Sequence, residues 1–258
     1  RKPASRTRMS YRNIQLDYQK ESIRPLVSLI FLAPMLIAYE SGMLLLGSST
    51  MRNGADVWLR QSLQWMGFGQ YFLLPVATCT ILLAWHHLLR EPWKINLAAL
   101  PRMLFESIAL AVFLLILAHL QGRIASEWSL QILPAAPSME PQVPPSFSRA
   151  WARLIPYFGA GIYEELLFRL MLLSGLIGLV RWIGGSHRQG LVCAVLISST
   201  LFAASHYQAF VGYGDIFQWY SFLFRLLAGL FFSILFLRRG FGITAATHAI
   251  YDILVVVL

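Results

Sequence analysis

Long apolar runs separated by short basic or polar stretches set the pattern of this chain. Runs close to the ~20 residues that a helix needs to cross a bilayer fall at about 25–47, 70–90, 102–120, 154–181, 190–206, 217–237 and 241–258. They predict an all-α fold, a polytopic transmembrane helix bundle of about seven spans, with the fifth and the last short. Pro34 and Pro75 fall inside runs, where neighbouring helices can satisfy the freed carbonyls and a kink is expected. The chain divides into a basic cytoplasmic N-terminal segment (1–24), N-terminal transmembrane helices (25–120), a Pro-rich loop (121–149) and a transmembrane core (150–258). Pro134, Pro137, Pro141, Pro144 and Pro145 make the loop read as an irregular or partly extended spacer. The alternative is a lid or substrate-entrance element.

Composition strengthens this reading. Hydrophobic residues make up 57% of the chain and charged residues 13%, with a mean hydropathy of +0.59. Eight Trp and ten Tyr suit interfacial belts, and 18 Gly suit close helix packing. Cys79 and Cys193 each lie in an apolar run, so they read as packing residues, without a disulfide framework or a thiolate metal site.

Net charge changes the picture less than its size suggests. A value of +9 could point to nucleic acid, but the basic residues sit between apolar runs. They fit membrane orientation, and the expected partners are the lipid bilayer and a protein or peptide substrate, with no nucleic acid. With the N-terminus inside, the inner segments hold fourteen Lys and Arg and the outer loops five, while Arg169 and Arg225 lie within runs. That asymmetry predicts a multi-pass integral protein of the cell (inner) membrane with a cytoplasmic N-terminus. Residues 1–25 are too long and polar before the first run to read as a signal peptide.

Candidate chemistry begins at Gly161–Arg169, GIYEELLFR, which places three charges inside an apolar run. On a helix Glu165 and Arg169 stand four apart with the acid N-terminal, the favourable arrangement for an ion pair across one turn. Glu164 points roughly 100° away and needs a partner from another helix, because a buried ionisable group in a membrane is costly unless paired or wetted. Of the six histidines, His86, His87, His119 and His187 sit at run ends or beside basic stretches and read as interfacial. His206 follows Phe202 by four and His248 precedes Asp252 by four, each pair sharing one helix face. A carboxylate beside an imidazole can take a proton from water and direct it at a carbonyl. A second imidazole, held by a carboxyl or amide, can stabilise the resulting oxyanion.

These residues carry a resemblance. EELLFR matches an EExxxR motif, Phe202–His206 matches FxxxH, and His248–Asp252 matches Hxxx(N/D), in the order found in the CAAX-protease and bacteriocin-processing (Abi) family of intramembrane glutamic endopeptidases. The resemblance covers about 150–258. It implies that Glu164 activates water with help from His206, that His248 and Asp252 form the oxyanion site, and that Glu165 and Arg169 are a structural ion pair. It implies no cofactor and no metal. Eukaryotic prenyl-protein proteases of this family have Asn where Asp252 stands, and an ionised Asp cannot donate to an oxyanion. Asp252 therefore either stays protonated in its apolar site or orients His248 instead, and the second is the expectation.

Other readings compete. Gly212-Tyr213-Gly214-Asp215 and Tyr251-Asp252 echo the GxGD and YD motifs of presenilin-like aspartyl proteases, but in reversed order and without a PAL motif. Glu164, His206 and His248 could be a zinc ligand set, although HExxH is absent and the three come from separate helices. No GxSxG supports serine chemistry. A non-catalytic scaffold or transporter-like protein would use the Glu165–Arg169 pair but has no need of Glu164. The predicted function is cleavage of a membrane-associated or exported substrate by glutamate-activated water.

Overall fold

The computed structural model describes residues 17–47, 52–69, 71–127, 149–212 and 214–258. Helix α1 spans Pro25–Leu46, with Pro25 at its start, where the missing N–H breaks no bond. Helix α2 (Gly54–Trp65) follows, capped by the Asn53 side chain, and then α3 (Leu73–Leu88) and α4 (Ala99–Glu127). Helix α5 (Arg149–Gly159) runs on through two π-helical segments, Ala160–Glu164 and Leu166–Leu173, into α6 (Ser174–Trp182). Helix α7 is His187–Ala204, α8 the single turn Gln208–Val211, and α9 the long Trp219–Val257.

The fold is all-α. Three described helices are long and apolar enough to cross a membrane, Pro25–Leu46, Ala99–Ile124 and Trp219–Val257, and Leu73–Leu88 is a shorter apolar helix. Each apolar run of the sequence lies on a helix, with shifted edges. Pro75 sits in the first turn of α3, where a missing N–H costs nothing, rather than at a kink. The Pro-rich segment loses its first residues to α4, which continues to Glu127, and its last, 149, to α5. Its five prolines lie outside the described residues.

Helix α9 is two arms. Gly240 inside it has φ 78 and ψ −180, a left-handed conformation that only glycine adopts cheaply. In a straight helix Phe232 and His248 would stand ~24 Å apart at 1.5 Å per residue, yet their rings stack with centroids at 4.7 Å. The chain therefore doubles back at Gly240, and arms 219–239 and 241–257 pack side by side. These are the two last runs predicted from the sequence, joined by a one-residue turn.

Polar contacts gather at the two ends of the bundle. At one end Tyr18 and Arg239 meet Glu106, Arg24 meets Glu21 and Glu91, and the Asn96 N–H donates to Glu21. At the other, α2 is tied down by charge. Arg60 donates to both Glu40 carboxylate oxygens at 2.9 and 3.1 Å and to Asp56 at 2.8 Å, while Arg52 reaches Asp56 at 3.0 Å. Tyr39 donates to Asp56, and Tyr163 donates to Glu40. Between these ends a buried cluster of Leu32, Leu36, Tyr39, Ile162, Leu166, Phe241 and Ala245 joins α1, the π-helical segments and the last arm.

Candidate active site

A close helix crossing sets the site. A Cβ on Gly161 would lie 2.5 Å from the Ala245 carbonyl oxygen and 2.7 Å from the Ala249 Cβ, so only glycine lets the first π-helical segment press against the arm 241–257. Three and four residues further along stand Glu164 and Glu165, opposite His248. Wide π turns, which occur in short pieces at functional sites, surround both glutamates.

The sequence-derived ion pair forms at 2.9 Å, Arg169 Nη1 donating to Glu165 Oε1, with both side chains wholly buried. Arg169 also donates to the Gly229 carbonyl at 3.3 Å and lies 4.3 Å from the Phe202 ring centroid and 5.4 Å from that of Phe232. Glu165 has a second partner that spacing did not reveal, because its Oε1 stands 2.7 Å from His248 Nδ1. A carboxylate accepts, so Nδ1 carries the proton and Nε2 faces the other way. The hydrogen bond that orients His248 thus comes from Glu165, with Phe232 stacked on the ring. Asp252, expected to orient His248, lies on the opposite side, 3.5 Å from Nε2.

Glu164 is where three helices converge. Its Oε1 accepts from Asn53 Nδ2 at 2.5 Å. Its buried Oε2 has no hydrogen-bond partner among the described residues and stands 3.8 Å from both His206 Nε2 and His248 Nε2. His206 Nδ1 is 2.8 Å from the Phe202 carbonyl. That oxygen only accepts, so Nδ1 bears the hydrogen and a neutral ring turns the Nε2 lone pair toward Glu164. The four candidate residues Glu164, His206, His248 and Asp252 are thereby brought to one place, and the FxxxH spacing is accounted for by a ring held on the carbonyl one turn back.

Exposure marks the open side. The side chains of His206 and Asp252 are 27% and 23% exposed, against 9% for Glu164 and 5% for His248. Beside His206 the chain closes on itself: the Asp215 N–H donates to the His206 carbonyl, and the Gln208 N–H to that of Asp215. Asp215 binds Arg225 at 2.5 Å, so the GxGD-like acid is engaged in an ion pair. Among the described residues no group of three His, Cys, Asp or Glu is arranged to hold a metal ion.

Asn53 was missed by sequence reasoning. The signal available was its position before Gly54-Ala55-Asp56, an Asx helix start, but nothing in the spacing links it to residue 164.

Residues 146–254 match the sequence model of a family described as type II CAAX prenyl endopeptidase Rce1-like. No curated protein and no solved structure matches the chain.

Proposed function

We propose, from the match of residues 146–254 to the type II CAAX prenyl endopeptidase Rce1-like family model, that this chain hydrolyses a peptide bond through water activated by Glu164. The observation that carries the reading is the unbonded Glu164 Oε2 facing two imidazole Nε2 atoms at 3.8 Å. That distance is too long for direct hydrogen bonds and short enough for one water to touch the carboxylate and an imidazole together. Glu164 takes a proton as the water oxygen attacks the carbonyl carbon, with His206 Nε2 helping to hold the water. The carbonyl electron pair moves to its oxygen, to which His248 donates from Nε2 as an imidazolium, its Nδ1–H held by Glu165 and its charge balanced by Asp252 3.5 Å from Nε2. Collapse of the tetrahedral species expels the amine, and Glu164 returns the proton to it. Glu165 and Arg169 act beneath this layer, one fixing the His248 ring and the other fixing Glu165.

The substrate reaches the site from the side where His206 and Asp252 are exposed, flanked by the segment 207–216. The Lys and Arg asymmetry puts that side outside the cell, which favours exported or membrane-anchored substrates. Comparing membrane proteomes of cells carrying the parent protein and Glu164→Gln tests the reading. Peptides cut only by the parent identify the cleavage site, and His206→Ala gives the same loss, on the order of 10²–10⁴-fold for a general base or its partner. Undiminished cleavage by Glu164→Gln ends the proposal.

A further inference from the structure

The hydrogen-bond partner of Glu164 Oε1 comes from outside the matched family segment. Asn53 precedes α2, and its amide is fixed at both ends. Its Oδ1 accepts from the Ala55 N–H at 2.8 Å as the helix cap, which leaves Nδ2 to donate to Glu164 Oε1 at 2.5 Å. The cap settles which end of the amide is nitrogen. The helix it starts is held by the Arg52–Asp56–Arg60–Glu40 lattice, and Tyr163, the neighbour of Glu164, is bonded to the same Glu40. Both residue 163 and residue 164 are therefore tied to one rigid bracket outside the π-helical segment.

A glutamate carboxyl turns freely about its last bond unless a partner stops it. With Oε1 bound to Asn53, the other oxygen is the one that faces His206 and His248. We infer that Asn53 is a positioning residue for Glu164, clamping one carboxylate oxygen so that the other is presented to the two histidines. The inference rests on the proposed role of Glu164. A hydrogen bond to an ionised acceptor is about twice as strong as a neutral one, which is what a clamp on a single rotatable group requires.

The test separates clamping from capping. Asn53→Ser keeps a good N-cap for α2 and loses the amide donor, while Asn53→Ala loses both. The full chain is assayed with a quenched fluorescent peptide spanning the cleavage site found in the proteome comparison. Both variants are expected to lose on the order of 10²-fold in kcat, the scale of a small misplacement of a reacting group, with KM within about twofold. The melting temperature of Asn53→Ser falls less than that of Asn53→Ala, which loses the cap as well. Parent-level kcat in Asn53→Ser, or a change confined to KM, overturns the inference. A second readout needs no substrate: the infrared carboxylate band of Glu164, isolated by subtracting the Glu164→Gln spectrum, shifts in Asn53→Ser, and an unmoved band overturns it too. If Glu164→Gln itself is active, the proposed chemistry fails instead, so the two failures are distinguishable.

Discussion

Replacing Glu165 with Ala removes one oxygen that serves two buried groups. Arg169 loses its 2.9 Å partner and His248 its 2.7 Å partner, both of them in the interior. Removing one member of a buried ion pair costs roughly 3–5 kcal/mol, and a buried donor left without its acceptor costs about 1–3 kcal/mol. The two losses share Oε1 and do not simply add. The contacts of Arg169 with the Gly229 carbonyl and the Phe202 and Phe232 rings exist already in the parent and offset nothing new. A loss of about 4 kcal/mol is expected, and at roughly 2–4 °C per kcal/mol for a chain of this size the melting temperature falls by on the order of 10 °C. Tryptophan fluorescence of the detergent-solubilised protein during heating measures it. Glu165→Gln, which keeps an acceptor oxygen but no charge, falls between Ala and the parent. A Glu165→Ala protein that melts within about 1 °C of the parent refutes the reasoning, and if Glu164→Ala collapses instead, the two glutamates have exchanged roles.

Chelators such as EDTA and phenanthroline should leave the purified protein fully active, because the proposed chemistry assigns the proton transfers to Glu164 and its neighbours. About one zinc per chain by elemental analysis, lost in His248→Ala, would turn Glu164, His206 and His248 into a ligand set. Orientation is checked by cysteine labelling in a Cys79→Ser/Cys193→Ser background. Ile216, 70% exposed beside the open side, should react as Ile216→Cys with an impermeant thiol reagent outside intact cells, and exposed Arg238 should not as Arg238→Cys. The opposite pattern reverses the direction from which substrate enters.

The helices of this fold were legible because crossing a bilayer demands unbroken apolar length, and a one-dimensional pattern records length directly. Glu164, His206, His248 and Asp252 were legible for a related reason: a polar group among so many apolar ones stands out, and i,i+4 spacing gives its face. The bracket around α2 was not. Its buried face is Ala55, Asp56 and Leu59, so a charge occupies the position where a hydropathy pattern would show an apolar residue, and Arg52 and Arg60 looked like ordinary loop cations. The π-helical turns also left no trace in the spacing of the apolar residues. Helix spacing leads from Glu165 to Arg169, four residues on, and no further. The bond of Glu165 to His248 spans 83 positions, a relation that only tertiary packing creates.

The turn at Gly240 has a consequence for timing. His248 reaches Glu164 only after the arm 241–257 has folded back along 219–239, and that arm is the last described segment to leave the ribosome. On the proposed chemistry, a protein still being synthesised carries its water-activating carboxylate but lacks the group that receives the oxyanion. On that chemistry, the site is complete only once the arm 241–257 has docked against 219–239, so its assembly follows the order in which the chain is made.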